Sequence, residues 1–271
     1  MLACGTIWRP NEVKRVIETL RTSTRVAKVA TDDGIGFLKG MGNPAGLDSL
    51  ACELVGTELA RWFGLHTPAF SIINVRGIEI PMDGVGNVLP GPAFISQEVS
   101  GATGDGGDAF LSNLQNPDDV SKLVVFDTWI RNGDRYPADE QWKDAVSNRD
   151  NIFFKTTGSK FELTVFDHTH CFTESTLGDG LSDTFVLQDD RVYGYFPEFK
   201  HYIKAPAVRG AVGRLRQMDR KVALEVVGSI PEEWKVSKVT RERWAEVICE
   251  RAKMVSEFIV PKILADAGLG L

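Results

Sequence analysis

Hydrophobic residues in the first third of the chain occur in short runs that are typical of β-strands. Residues 25–30 and 34–38 flank the sequence Asp32-Asp33-Gly34, which predicts a hairpin turn between two strands. Two further strand-like runs occupy residues 70–75 and 93–99. This part of the chain is therefore predicted to form a small sheet.

One helix is predicted within this strand-rich region. Residues 43–46 have the sequence Asn-Pro-Ala-Gly, which is typical of a turn, and Asp48 follows at the position expected for an N-cap. Apolar side chains then recur at helical spacing from Leu47 to Trp62. Gly64 is the residue at which we expect this helix to end.

The rest of the chain follows a different pattern. Residues 100–107 are rich in glycine and other small residues, which is typical of a connection between two lobes. The elements predicted after this connection are a helix at 117–131, strands at 151–154 and 161–166, and helices at 205–227 and 241–264. Together these patterns predict an α+β, bilobal fold, in which a small β-rich N-lobe with one helix precedes a larger, mainly helical C-lobe.

Composition narrows the class of protein. The chain has 271 residues, 43% of them hydrophobic and 25% charged, which is the balance of an ordinary globular protein. A net charge of −6 argues against direct nucleic-acid binding. We expect no membrane span, because no apolar run approaches the length of about 20 residues that a span requires. Four cysteines without a CxxC spacing favour a reduced, cytoplasmic protein.

Three polar residues stand where predicted elements begin or end. Asp134 follows the helix predicted at 117–131, Asn151 opens one predicted strand, and Asp167 closes the next. Phosphoryl transfer requires a carboxylate beside the attacking hydroxyl and a few hard oxygen ligands for Mg²⁺. The same residue types also occur in structural turns, so this spacing alone leaves both interpretations open.

Lys39 adds a cation to this set. It follows the apolar run at residues 36–38 and precedes a glycine-containing turn. A lysine at the end of such a strand reaches the phosphates of ATP when a carboxylate on a helix orients it. A solvated lysine is the alternative, and it is weaker because Lys39 accompanies the acidic residues.

Several stretches of the sequence resemble the HipA-like kinase domains. These stretches are 36–46 (GFLKGMGNPAG), 132–135 (NGDR), 151–153 (NIF), 166–168 (FDH) and 230–234 (IPEEW). Each motif alone is weakly specific, but together they occur in the order of that family. The resemblance spans residues 25–255.

The resemblance implies a role for each candidate residue. Lys39 would contact the phosphates of ATP, and Glu53 would pair with this lysine. Asp134 would be the catalytic base, whereas Asn151 and Asp167 would bind Mg²⁺.

The resemblance also implies a single kinase-like domain over residues 1–271, with residues 1–99 as the N-lobe and residues 100–271 as the C-lobe. The hinge at 95–99 would bind adenine through the backbone of Gln97, Glu98 and Val99.

The implied activity is the ATP- and Mg²⁺-dependent transfer of the γ-phosphoryl group to a hydroxyl. A protein serine or threonine is the first choice of acceptor, and a small molecule is the alternative. The sequence determines neither the acceptor nor whether a regulatory partner protein exists, as in a toxin–antitoxin pair.

Two assignments stay open. Kinase catalytic loops place their asparagine about five residues after the aspartate. The longer separation between Asp134 and Asn151 makes Asn148 a rival metal ligand. Helical geometry places Glu58 within the apolar arc of the predicted helix, so Glu58 is a rival to Glu53 as the partner of the lysine.

Two neighbours of these residues are predicted to support the site. Asp127 lies on the apolar side of its predicted helix and is expected to accept hydrogen bonds from loop amides near Asp134. Arg135 is expected either to pair with a nearby carboxylate or to be solvated.

Two other classes of function remain as alternatives. The insert at 136–147 motivates a nucleotide-binding pseudokinase that acts by interaction. His168 and His170 form an HxH pair, which would face one side of a strand near Asp134 and Asp167. Such a pair motivates a hydrolase that depends on zinc or manganese.

Overall fold

The computed structural model describes residues 8–138, 148–173 and 176–269. Its first layer is a five-stranded sheet with the order β1-β2-β3-β7-β4, in which neighbouring strands are antiparallel. The strands of this sheet are β1 (Val13–Thr19), β2 (Ala27–Thr31), β3 (Gly34–Lys39), β4 (Phe70–Val75) and β7 (Gly91–Gln97). Two short strands, β5 (Pro81–Met82) and β6 (Gly86–Asn87), pair with each other between β4 and β7.

The predicted strands of this sheet are present. β2 and β3 pair around the predicted turn, and Gly34 has a φ of 107°, which favours glycine. β4 coincides with the predicted strand at 70–75. β7 begins before the predicted strand at 93–99, because Gly91 already pairs with Val75 of β4.

The second part of the chain is mainly helical, and we call it the helical half. Its helices are α2 (Asp108–Leu111), α3 (Asp118–Ile130), α4 (Leu177–Ser182), α5 (Ala205–Leu215), α6 (Arg220–Gly228) and α7 (Lys238–Asp266). Short 3₁₀ turns occupy Arg149–Asn151, Thr184–Leu187, Pro197–Tyr202 and Glu232–Trp234. None of the helices in the described ranges has the length and apolar character that crossing a bilayer requires.

The single helix predicted at 205–227 is wrong, because two helices occupy this region. α5 ends at Leu215, and Asp219 then caps a new helix by accepting a hydrogen bond from the Val222 backbone at 2.8 Å. Apolar spacing continues across the break, which is why the pattern alone did not show it.

A second, three-stranded sheet lies within the helical half. β9 (Ile152–Thr157) and β10 (Lys160–Val165) form the hairpin that the two predicted strands suggested. β8 (Gly101–Thr103) pairs with β9, so the glycine-rich stretch predicted as a connection also contributes a strand.

Helix α1 (Gly46–Phe63) is buried on nearly every side. Its N-cap is Ala45, so the prediction that Asp48 caps the helix is wrong. Asp48 lies within the first turn, where its carboxylate accepts a hydrogen bond from the Leu177 backbone at 2.9 Å. Gly64 adopts a left-handed conformation with a φ of 90° and ends the helix, as predicted.

Packing places α1 in the core of the helical half. Its apolar side chains belong to the same buried cluster as those of α3, α5, α6 and α7. A separate cluster covers the opposite face of the five-stranded sheet. Arg214 of α5 donates two hydrogen bonds to the carbonyl of Trp62 at the end of α1, at 2.9 and 2.6 Å. Trp234 donates a hydrogen bond to the carbonyl of Pro92 in β7 at 3.0 Å.

Gly56 of α1 packs closely against the segment that follows β10. A Cβ at this position would lie 2.3 Å from the Cβ of His168. Overpacking costs about 1–3 kcal/mol and exceeds the gain in helix propensity of roughly 0.5–1 kcal/mol. We therefore expect Gly56→Ala to lower the free energy of unfolding, as measured by chemical denaturation.

Gly210→Ala is the matched control, because a Cβ there meets no atom within 4 Å in the exposed face of α5. This control is expected to raise the free energy of unfolding by about 0.5–1 kcal/mol. Equal stabilisation by both substitutions would contradict the packing argument.

Candidate active site

A cleft of about 400 Å³ lies between the five-stranded sheet and the helical half. Seven of the residues singled out from the sequence line it: Lys39, Glu53, Gln97, Glu98, Val99, Asn151 and Asp167. The predicted hinge and the predicted metal ligands therefore share one cavity.

Lys39 is the last residue of β3, where it is paired with Phe94 of β7. Its side chain is only 9% exposed. The Nζ atom lies 2.7 Å from Glu53 Oε2, 2.9 Å from Asp167 Oδ1 and 2.9 Å from Thr169 Oγ1. One ammonium group therefore joins β3, α1 and the segment after β10.

Glu53, and not Glu58, forms the ion pair with Lys39. Its Oε2 atom also accepts hydrogen bonds from the His168 backbone at 3.1 Å and from the Thr169 hydroxyl at 3.0 Å. The helical-arc argument for Glu58 failed because α1 is buried on nearly every side, so the side opposite its apolar centre faces the cleft rather than water.

Charge pairing outweighs burial in this cluster. Burial alone would lower the pKa of Lys39, but the carboxylates of Asp167 and Glu53 raise it above its ordinary value. Burial alone would raise the pKa of Asp167, but the Lys39 ammonium group holds it well below the usual range. Lys39 and Asp167 are therefore both charged at neutral pH.

Asp167 owes its position to an unusual backbone conformation. β10 ends at Val165, and Asp167 has a φ of 57°, in the left-handed region. This conformation costs about 1 kcal/mol for a non-glycine residue, and aspartate tolerates it better than most. The turn directs the carboxylate towards Lys39, whereas the next side chain, His168, lies in the core.

Asn151 lines the cleft and contacts Asp134 behind it, which is not among the described cleft-lining residues. Asn151 ends the 3₁₀ turn before β9, and its Nδ2 atom donates a hydrogen bond to Asp134 Oδ2 at 2.9 Å. Asn148, the rival ligand, is not among the described residues that line the cleft. Its backbone instead joins the loop through a hydrogen bond to the Arg135 carbonyl at 2.9 Å. Most of the insert, residues 139–147, lies outside the described ranges.

Arg135 is fully buried and forms an ion pair with Asp127, which excludes the solvated alternative. Asp127 accepts hydrogen bonds from the Arg135 guanidinium and from the Asn132 side chain. The Asn132 side chain is a loop amide near Asp134, as predicted, and the Arg135 guanidinium is a second donor that the prediction for Asp127 did not include. Burial raises the pKa of Asp127, although Arg135 opposes this effect.

The predicted HxH pair on one face of a strand is wrong. β10 ends at Val165, before either histidine. His168 is fully buried and its Nδ1 atom lies 3.2 Å from the Thr57 hydroxyl, whereas His170 is exposed. Burial lowers the pKa of His168 well below its usual value. Within residues 8–138, 148–173 and 176–269, no three His, Cys, Asp or Glu side chains are grouped as metal ligands.

The predicted hinge has only some of its backbone groups available to a ligand. The Gln97 backbone donates to the Ala69 carbonyl at 2.7 Å, and the Glu98 backbone donates to the Ile35 carbonyl at 2.9 Å. For the Val99 N–H, the described part of the chain supplies no backbone acceptor outside regular helices and strands.

Sequence reasoning missed most of the apolar lining. Phe37, Phe94, Phe153 and Phe166 line the cleft, together with residues of the β1–β2 connection: Leu20, Thr22 and Val26. Strand alternation could have identified Phe37, because residues two apart in a strand face the same side and Lys39 faces the cleft. Thr169 was also missed, since no signal in its sequence separates it from other threonines.

The strand order, the β3 lysine paired with a glutamate on α1, and the polar residues at the ends of β9 and β10 together define a kinase-like fold. A model of the HipA-like kinase family matches residues 12–257, and the chain belongs to this family.

One solved structure supports the fold independently. The proinflammatory kinase CtkA from Helicobacter pylori matches with a TM-score of 0.57 over 94% of this chain and 96% of that chain, at 10% sequence identity. Such low identity is informative about the fold alone. A comparison with curated proteins finds no significant match.

The charged state of Asp167 generates a prediction about acid stability. Because its pKa is lower in the folded protein than in the unfolded chain, its stabilising contribution is present above about pH 4 and is lost as the pH falls further. We expect Asp167→Asn to lower the free energy of unfolding at pH 7 by roughly 1 kcal/mol, since the carboxylate is partly exposed. The difference from wild type should narrow below pH 4 in denaturation experiments.

The control for this prediction is the same substitution in a Lys39→Met background. Removing the lysine removes the main group that lowers the pKa of Asp167. In that background the effect of Asp167→Asn on the free energy of unfolding should no longer decrease below pH 4. A difference that stays constant down to pH 2.5 in the wild-type background would contradict the prediction.

Proposed function

We propose that this chain is an ATP- and Mg²⁺-dependent phosphotransferase that transfers the γ-phosphoryl group of ATP to a serine or threonine hydroxyl of a protein. The observation that supports this proposal most directly is the position of Lys39 between Glu53 and Asp167. These three residues share a cleft with Asn151, which is bonded to Asp134. Membership of the HipA-like kinase family agrees with it.

The cleft suits a nucleotide because it has an apolar part and a charged part. Phenylalanine and aliphatic side chains give the adenine ring a stacking surface, and Lys39 offers a cation to the phosphates. In this proposal Val99 N–H is the hinge donor to adenine, since the N–H groups of Gln97 and Glu98 have partners. We place the boundary between the N-lobe and the C-lobe at this hinge.

The residues present fit a magnesium ion. Asn151 and Asp167 offer amide and carboxylate oxygens, which are the hard ligands that Mg²⁺ prefers. A bound Mg²⁺ would supply charge neutralisation on the triphosphate. Glu53 and Thr169 hold Lys39 independently of Asp167, so the lysine keeps two partners when Asp167 serves as a ligand.

We assign Asp134 as the base in this mechanism. Its Oδ2 atom is oriented by the Asn151 amide. As the acceptor oxygen bonds to the γ-phosphorus and ADP leaves, the carboxylate takes the hydroxyl proton. Catalysis in this proposal depends on the positioning of the reactants and on stabilisation of the transition-state charge, and it requires no covalent intermediate.

Substituting the base tests the reaction directly. Asp134→Asn should lower the rate of γ-phosphoryl transfer by at least about 100-fold, because general-base catalysis typically contributes that much or more. ATP binding should persist, since this side chain is not among the described cleft-lining residues. Transfer from radiolabelled ATP and thermal stability with MgATP measure the two effects. Full transfer activity in this variant would refute the assignment.

The two asparagines give a matched pair of variants. Asn151→Ala should reduce the additional stabilisation that Mg²⁺ gives to the ATP complex. Asn148→Ala should leave most of this stabilisation, because Asn151 lines the cleft and Asn148 is not among the described residues that do. Thermal shift with ATP, with and without Mg²⁺, measures this difference. The reverse order of effects would make Asn148 the ligand.

Wild-type protein that binds MgATP but transfers no phosphoryl group to any protein or itself would favour the pseudokinase alternative. Stabilisation by zinc or manganese alone, with no response to ATP, would favour the hydrolase.

A further inference from the structure

We propose that Arg135 is the positioning residue that holds Asp134, Asn151 and Asp167 in one arrangement, and thereby sets the affinity of the site for Mg²⁺. This inference rests on the proposed function, because it assigns Asn151 and Asp167 as the metal ligands. Arg135 itself does not contact the reacting atoms.

The contacts of Arg135 reach all three functional segments. Its Nε atom donates to the carbonyl of Asn151 at 3.1 Å, and Nη2 donates to the carbonyl of Phe166 at 2.9 Å. Asn151 is one ligand, and Phe166 directly precedes the other, Asp167. Arg135 also directly follows Asp134 in the chain. One guanidinium group therefore spans the start of β9, the end of β10 and the catalytic loop.

Helix α3 anchors this guanidinium group. Nη1 of Arg135 donates to Asp127 in the last turns of α3, and both side chains are 0% exposed. A planar guanidinium has fixed donor directions, so pairing with one buried carboxylate also fixes the other N–H groups. Asp127 therefore orients Arg135 towards the two carbonyls.

The hairpin alone does not fix the loop. The ladder between β9 and β10 pairs Ile152 with Val165, which sets these strands relative to each other. The loop is also linked to the start of β9 by the hydrogen bond from the Asn151 side chain to Asp134, which involves the functional residues themselves. Partners that orient metal ligands typically change metal affinity by about 10- to 100-fold when they are removed.

A purely structural role predicts a different outcome. Loss of a buried guanidinium destabilises any fold, and it would then weaken ATP binding equally with and without Mg²⁺. A positioning role predicts that ATP affinity decreases mainly when Mg²⁺ is present. The informative quantity is therefore the ratio of ATP affinities with and without Mg²⁺, which requires no turnover.

Arg135→Lys is the main variant, because lysine retains the charge opposite Asp127 but lacks the planar fork. The matched control is Arg251→Lys. Arg251 is also fully buried, and its guanidinium donates to the carbonyls of Trp129 at 2.7 Å and Thr128 at 2.6 Å, away from both ligands.

Isothermal titration calorimetry with ATP, with and without Mg²⁺, tests the inference on the full chain. We expect Arg135→Lys to lower the affinity ratio by about 10-fold, while the Mg²⁺-free affinity stays within about 2-fold of wild type. Arg251→Lys should lower the melting temperature but leave the ratio unchanged. An unchanged ratio in folded Arg135→Lys, or an equal change in Arg251→Lys, would overturn the inference.

A double variant covers the case in which Arg135→Lys does not fold. Asp127→Leu with Arg135→Met replaces the buried ion pair by apolar side chains of similar volume, which is often tolerated. This double variant should fold, and its ratio of ATP affinities with and without Mg²⁺ should be lowered as in Arg135→Lys. A ratio equal to that of wild type would overturn the inference. Wild-type protein that binds no ATP at all would refute the proposed function itself, which is a separate result.

Discussion

The Lys39 ammonium group is held by carboxylates from two separate parts of the fold, Glu53 on α1 and Asp167 after β10. Each of these charges would be costly to bury alone, and each is stabilised only because the others are present. The three charges therefore connect the end of β3, the middle of α1 and the turn after β10. The same constraint brings the Lys39 ammonium group and the side chains of Glu53 and Asp167 together within one cleft.

Helix α1 shows how this constraint extends to the packing. Glu53 faces the cleft, and the neighbouring positions pack into the core of the helical half. Gly56 lets the segment carrying His168 approach the helix closely. That approach allows the His168 backbone to donate to Glu53, so a glycine in the core supports the geometry of a charged residue in the site.

Sequence patterns within short stretches predicted the features that depend on local conformational preferences. The turn at Gly34, the end of α1 at Gly64 and the β9–β10 hairpin all follow from conformational preferences and alternation within short stretches. The family resemblance supplied the pairing of Lys39 with Glu53, which helical spacing alone would have assigned to Glu58. Asp48 and the two histidines were misjudged because their surroundings come from distant segments: the Leu177 backbone holds Asp48, and α1 buries His168.

The attachment of α1 to the helical half has a consequence for control of activity. Arg214 donates hydrogen bonds to the carbonyl of Trp62 at the end of α1. The apolar side chains of α1 share one core with those of α3, α5, α6 and α7. Moving α1 outward to separate Glu53 from Lys39 would expose that core to water, at a free-energy cost comparable to partial unfolding. A mechanism that switches activity by displacing this helix would therefore carry a high free-energy cost in this protein.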